Sequence, residues 1–454
     1  MDDLKLKEIT EYIFSPFSTF IYLNRDEIRF QGIDNVRQKI LDKLNEEPLV
    51  IKESNQKVIW CVEESEQFKL SKGVFAPPGK GNSFIMAKLI CDDTSTEGYC
   101  ITEDIKNYFK SEELSFNDIN FYFHEFGIAT CSANIVLKKK SGLIITELDE
   151  VSEWLNNLYK EYFQNISYQL AEQYINAINE LDIPHYEFDF FPKIEDVDKD
   201  KFFIPWTHRL YRIEEKKLFE LENPGLPFQF LLTPSKQMDV KDLSIYENRY
   251  IYFGWGHSLI LESGEIDGYS QTNTPADEYV RLIEIAQANW QNLDILADLV
   301  DVTTASFHEF FGKLKPRELK KAIYEIREFS NAIDRILDYY KGVKITFDTE
   351  KRILLKELNG RWLTSEMYEK LQEKLIQIEE LLEDLFNRQK ERREEALNTI
   401  ALLFTITSVI EIIALIIEIF NPNLTPWSIV LIIAAGTSVI AIAILFYIRL
   451  AGRE

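Results

Sequence analysis

Glu411 and Glu418 are two carboxylates in a stretch that otherwise reads as hydrocarbon. Thr399–Phe420 contains no Lys or Arg, and its other polar side chains are Thr399, Thr405, Thr407 and Ser408. At 100° per residue, Thr405, Ser408, Glu411 and Glu418 fall within an arc of roughly 140°, with Ile, Leu and Ala opposite. Hydroxyls and carboxylates on one stripe can replace part of a cation's hydration shell, and rings of Glu attract cations and repel anions. One helix cannot enclose water, so such a stripe implies several copies around an axis. An unpaired charge deep in hydrocarbon costs several kcal/mol, which an aqueous path would relieve. Three other arrangements would also tolerate these groups. The carboxyls can be protonated and bonded to Thr437 or Ser438, the hydroxyls can bond back to helix carbonyls, and Glu418 can reach the interface.

The elements that must carry these residues follow from length. Thr399–Phe420 and a second apolar run, Trp427–Ile448, each match the ~20 residues that cross ~30 Å of hydrocarbon. Only Asn421-Pro422-Asn423-Leu424-Thr425-Pro426 joins them, so a transmembrane hairpin is expected: helix one at 399–420, an outer loop at 421–426, helix two at 427–448 and a tail at 449–454. Arg388, Lys390, Arg392 and Arg393 precede the hairpin, Arg449 and Arg453 follow it, and the loop is uncharged. The positive-inside rule then puts both termini in the cytoplasm of a multi-pass protein of the inner (cytoplasmic) membrane. Met1–Leu6 has no secretory signal pattern, which leaves residues 1 to about 395 cytoplasmic.

Ahead of the hairpin, Leu371, Leu375, Ile378, Leu382 and Leu385 alternate four and three apart, an a/d heptad seam. Continued, the register reaches Gln389, Arg392 and Ala396, then Thr399 and Leu403. No Pro or Gly interrupts Ser365–Phe420, so a stalk at 365–398 is expected to run unbroken into the first span. A helical region is expected over 275–364, and a cytoplasmic α/β domain over 1–274. Two related halves, 1–184 and 185–274 plus the following helix, are one expectation for that domain, and a chance likeness between two α/β segments is the other. Each half reads as aromatic strand, Gly turn, apolar strand and amphipathic helix: Phe121–Phe126 and Ile128–Leu137 with a helix from Leu148 to Leu181, and Tyr250–Gly256 with a helix ending near Asn292. Turns are expected at Pro77-Pro78-Gly79 and Lys140-Ser141-Gly142. The fold class is therefore an α+β membrane protein, with an N-terminal α/β domain and a long stalk helix continuous with the first of two C-terminal spans.

Charge and composition exclude several classes. A net charge of −24 argues against direct nucleic-acid binding. Cys61, Cys91, Cys100 and Cys131 have no CxxC spacing and read as reduced thiols. His124, His185, His208, His257 and His308 are scattered, and neither HExxH, GxSxG nor a P-loop occurs, so no enzymatic constellation and no metal set is assigned. The acidic run Glu195–Asp200 reads as a solvated loop. Two stretches can meet an anionic ligand. Lys80 lies in Pro77-Pro78-Gly79-Lys80-Gly81-Asn82-Ser83, which reads as a phosphate cradle or a plain turn. Trp206, Arg209 and Arg212 combine aromatic faces with guanidinium groups, which suits a stacked base beside a phosphate, or else a salt-bridged strand.

A large cytoplasmic α/β domain, a stalk helix continuous with the first span, a short outer loop and a second span with a cytoplasmic tail resemble the CorA family of divalent cation channels. Asn398 stands where that family has a pore-lining asparagine at the inner end of the first span. Asn421-Pro422-Asn423 occupies the place of the family's Gly-Met-Asn, of which only the final residue, Asn423, matches. The resemblance implies a homopentamer with Asn398 at the inner end of the pore and Asn423, beside Asn421, at its outer mouth; the stripe adds Thr405, Ser408, Glu411 and Glu418 to the lining, a departure from family pores, which are lined mainly by neutral polar groups. It implies a permeant cation, with Mg2+ as the family's ion but without the motif that confers magnesium selectivity, and no covalently bound cofactor. The enlarged soluble part resembles a branch acting beside type III CRISPR systems in antiviral defence, which implies a small nucleotide activator such as SAM-AMP. A housekeeping magnesium transporter and a membrane-tethered binding or signalling protein without a pore are the alternatives.

Overall fold

The structure is a computed structural model. It describes residues 5–51, 56–62, 84–91, 114–187, 193–196, 202, 206–232, 241–245, 249–263, 275–310, 316–341 and 349–420, with short helical pieces between 427 and 438. Lys80, Asn421, Asn423 and Thr437 lie outside the described residues. The chain divides into two compact units. One is Met1–Phe310 with Glu328–Ile376, and the other is Phe311–Arg327 with Gln377–Glu454.

The first unit is built on one sheet. Its strands are β1 (Lys5–Leu23), β2 (Val50–Ile51), β3 (Gln56–Cys61), β4 (Ile85–Cys91), β5 (Leu114–Phe123), β6 (Phe126–Ile144), β7 (His185–Tyr186), β8 (His208–Glu214), β9 (Arg249–Phe253) and β10 (His257–Glu262). They run β2-β3-β4-β5-β6-β1-β8-β10-β9, with β7 also on β1. Among the described residues, β8 and β10 form the parallel pair and the other ladders are antiparallel.

β1 explains the layering. Ile9, Ile13 and Phe17 join one buried cluster, whereas Tyr12 and Phe14 join another. Side chains alternate along a strand, so a strand apolar on both faces must be covered on both. The chain supplies helices α1 (Arg25–Gln31) and α2 (Ile33–Glu46), then α3 (Ile145–Glu180), and later α4 (Pro275–Phe310), α5 (Pro316–Lys341), α6 (Thr349–Arg361) and α7 (Thr364–Phe420). Val36, Ile40 and Leu44 of α2 and Leu155, Tyr159, Phe163 and Tyr174 of α3 fill the first face. Tyr279, Leu282, Ile283 and Ala286 of α4 and Leu354 and Leu358 of α6 fill the second. Pro275–Phe310 therefore completes the core of the sheet and does not open a separate helical region.

Both expected repeats contain a hairpin followed by a helix: β5–β6 then α3, and β9–β10 then α4, each helix 36 residues long. The turn expected at Lys140-Ser141-Gly142 is corrected. β6 continues to Ile144, and these residues form an irregularity opposite Leu6 and Glu8. Gly142 has φ +75°, and a Cβ there would stand 2.5 Å from Lys5 Cβ. The glycine serves a kink inside a strand and does not end it.

In the second unit, Leu381, Leu382 and Leu385 of α7 pack with Ile323 of α5. Across the whole seam Leu371, Leu375, Ile378 and Leu385 are buried within one chain. α7 runs unbroken for 57 residues, ~85 Å at 1.5 Å per residue. Among the described residues it is the one helix long and apolar enough to cross a membrane, and almost none of its apolar window is buried. Gly436, in a helical piece of the second apolar run, approaches α7 closely: a Cβ on it would lie 3.6 Å from Ile410 side-chain carbons.

Two neighbouring glycines in the β9–β10 turn should differ sharply. A Cβ on Gly254 would lie 2.1 Å from the Leu232 carbonyl oxygen, whereas one on Gly256 meets nothing within 4 Å. Gly254→Ala should lower stability by about 1–3 kcal/mol and Gly256→Ala should leave it nearly unchanged, as read from urea midpoints of the two variants.

Candidate functional site

The polar stripe is a face of α7. Asn398, Thr405, Ser408 and Glu411 are exposed there, and Glu418 belongs to the same helix. Thr405 donates to the Ala401 carbonyl at 2.9 Å and Ser408 to that of Phe404 at 2.9 Å. Thr399 and Thr407 donate likewise, to Glu395 and Leu403. Back-bonding of this kind satisfies each hydroxyl's proton. What remains to face outward is the oxygen's lone pairs, the part of a hydroxyl that a cation uses.

Trp206, Arg209 and Arg212 do not converge. β8 alternates, so Arg209 points to the α3 face and Arg212 to the α4 face. Arg209 donates to Ser152 Oγ at 3.1 Å and pairs with Glu153 at 3.0 Å. Arg212 pairs with Glu262 at 2.7 Å and with Glu214 at 2.9 Å. The two guanidinium groups are each held by carboxylates on opposite sides of the sheet, which is the salt-bridged strand and not a joint phosphate grip.

Trp206 belongs to a different assembly. Its ring meets Trp362 at 5.2 Å, Trp290 at 5.4 Å and Trp255 at 6.1 Å between centroids. Trp362 is the residue that follows α6, and α7 starts two residues later. Its indole N–H donates to the Trp255 carbonyl at 2.8 Å, and its own carbonyl accepts from Trp290 at 2.9 Å. His208 lies 5.3 Å from the same ring and bonds Ser258 at 2.8 Å. Burial pushes the His208 pKa well below the usual range, so the imidazole is neutral. The far end of α6 is fixed as well. Glu350 accepts from Tyr279 Oη at 2.6 Å and from the Ile245 N–H at 3.2 Å, and Arg249 bonds the same tyrosine. α6 is thus clamped at both ends, and its C-terminal clamp sets the start of the long helix. Leu363, between Trp362 and α7, has φ +54°, a left-handed conformation that costs a leucine roughly 1–2 kcal/mol.

A second cluster lies on the α3 face. Ser152 Oγ donates to Glu11 Oε1 at 2.5 Å and lies 2.6 Å from Tyr211 Oη. Tyr211 stacks on His257 with centroids 6.0 Å apart. Burial raises Glu11 from 4.5 to about 7, against the opposing effects of the Ser152 hydrogen bond and the Arg209 charge. Burial lowers His257 to about 3, and Arg209 pushes it the same way.

No family model matches the chain, and no curated protein matches it. The molecule offers three chemical features. Exposed polar side chains lie along a membrane-length helix, an aromatic socket holds that helix at its start, and a buried acid lies beneath the strand that lines the socket. Among the described residues, no group of three or more His, Cys, Asp or Glu is placed to hold a metal ion. The socket was not legible in the sequence, because its four tryptophans are dozens of residues apart and share no period. The Gly254–His257 stretch is the tight turn expected of it, and that turn also delivers the Trp255 carbonyl.

Two substitutions test the joint. Trp362→Ala should cost about 3–5 kcal/mol and open the α6–α7 link to proteolysis while the sheet keeps its far-ultraviolet signal. Leu363→Asn should raise the unfolding free energy by about 1 kcal/mol, since Asn tolerates the left-handed region, whereas Leu363→Val should lower it, as read from urea denaturation.

Proposed function

We propose that the chain is a homo-oligomeric, pentameric cation channel of CorA-like architecture in the inner membrane, opened and closed by its sheet domain. One observation carries this reading. A helix that starts in the tryptophan socket runs without a break into an apolar, unburied segment, and exposes Asn398, Thr405, Ser408 and Glu411 there. The close approach of Gly436 to Ile410 supports a second span returning beside the first, since the two residues stand 13 positions to either side of Asn423. Arg388, Lys390, Arg392 and Arg393 on one side and Arg449 and Arg453 on the other then keep both ends cytoplasmic.

In this reading the stripe lines the water path. Thr405 and Ser408 present oxygen lone pairs, Glu411 and Glu418 concentrate cations, and Leu and Ile rings between them form the gate. Movement at the α6–α7 joint tilts α7 and dilates those rings. A second reading, a membrane-tethered binding protein without a pore, draws support from the seam. Ile323 covers Leu381, Leu382 and Leu385 within one chain, so the heptads need no second copy.

Glu411→Gln separates the two. In liposomes holding the full chain, the channel reading predicts normal assembly with a cation-over-anion preference reduced roughly tenfold. A tether predicts no cation flux in either protein, and that result would retire the channel.

A further inference from the structure

We propose that Glu11 is a proton-binding site whose charge state is passed through β8 to Trp362, making the start of α7 sensitive to pH on the side that holds the sheet domain. The proposal rests on the first compact unit alone and holds equally for a channel or a tether.

Geometry carries the argument. Glu11 is fully buried in the centre of β1, and its Oε2 has no hydrogen-bond partner. α3 faces it with Ser152, and beyond that with Glu153 and Asp149 at the surface. β8 faces it with Arg209 and Tyr211, β10 with His257 stacked on that tyrosine, and β6 adds apolar Ala133, Ile135 and Leu137. Arg209 is the one cation in this set. It reaches Ser152, which bridges it to Glu11, and is at the same time paired with Glu153, whose side chain is 56% exposed.

With Glu11 neutral, that outward pair is the best one available to Arg209. When Glu11 loses its proton, a bare buried carboxylate faces a guanidinium one hydroxyl away. Coulomb attraction in the low-dielectric interior then favours the inward pair over the solvated outward one. Arg209 sits at the start of β8, and the next residue back is His208, on the opposite face and against the Trp362 ring. A pull on Arg209 toward Glu11 therefore displaces the wall of the tryptophan socket.

The sign follows from burial. A carboxyl raised from 4.5 to about 7 binds its proton more tightly folded than unfolded. Its stabilising contribution is complete below pH 4.5 and is lost as pH rises through about 7, so the change falls in the neutral range.

The test is intrinsic tryptophan emission of the full detergent-solubilised chain between pH 5.5 and 8.5. The expected result is a reversible change with a midpoint near pH 7. It should be lost in Glu11→Gln and reduced to a small remainder in Trp362→Phe. Ser152→Ala removes a bond that favours the charged acid, so it should move the midpoint upward. Should Glu11→Gln not fold, this variant decides alone. A flat wild-type trace, a midpoint retained in Glu11→Gln, an unmoved midpoint in Ser152→Ala, or an undiminished change in Trp362→Phe would each overturn the proposal.

Discussion

Burial of β1 on both faces is the constraint from which the sheet domain follows. A strand whose odd and even side chains are both removed from water needs a layer above and a layer below, and neither α3 nor α4 can be dispensed with. The same alternation governs β8 beside it. Tyr211 and Ile213 join the α3 layer, whereas Leu210 joins the α4 layer. Any polar residue on these strands is then committed to one layer or the other and must find its partner there. Arg209 and Arg212, three residues apart, have partners that never meet.

Such central strands make buried polar groups expensive, and the structure meets that cost by pairing. His124 bonds Glu284 at 2.8 Å, and Arg281 pairs with the same carboxylate while lying over the Tyr122 ring at 4.1 Å. All three charged or chargeable groups are buried, and together they pin the β5–β6 turn to α4. Arg25 fixes the other side of that turn through Glu125 at 3.1 Å. Removing Arg281 would take from the buried Glu284 its guanidinium partner, which costs more than the intact cluster contributes. Glu11 differs in having a hydroxyl as its bridge to a cation, not the cation itself. That is why burial dominates its proton affinity.

What the sequence made legible was local and periodic. The unbroken α7, the heptad seam and the helices after both hairpins are written in residues three, four or seven apart, and a reader needs only neighbours to find them. The kink at Gly142 looked like a turn because glycine marks both, and only the ladder to Lys5 and Leu6 separates them. The arginines looked like one grip because sequence proximity hides the pleat. The socket was invisible for the opposite reason: Trp206, Trp255, Trp290 and Trp362 come from four separate elements, and nothing local foretells that they meet. Glu11 carries no local signal either, because its burial depends on α3, more than 130 residues away.

The heptad register joins the soluble and apolar parts of α7 in one argument. Carried forward from Leu385 by fours and threes, the seam passes through Leu403, Ile406, Ile410, Ile413 and Ile417. Ile323 covers the early part, and Gly436 stands against Ile410 in the later part. The chain's own residues therefore touch that face on both stretches, at Leu385 and at Ile410. Asn398, Thr405, Ser408, Glu411 and Glu418 fall at c, c, f, b and b of the same register, the positions that point away from the seam. Asn398, Thr405, Ser408 and Glu411 are exposed on that side, as are the apolar Phe404, Ile412 and Ile416 of the same helix. A carboxylate on that side, at the depth of hydrocarbon, is unstable against lipid and stable against water. If α7 lies in a membrane, Glu411 must be relieved there by water, by a proton or by a hydrogen-bonding partner, and each of these leaves the apolar seam where the register puts it.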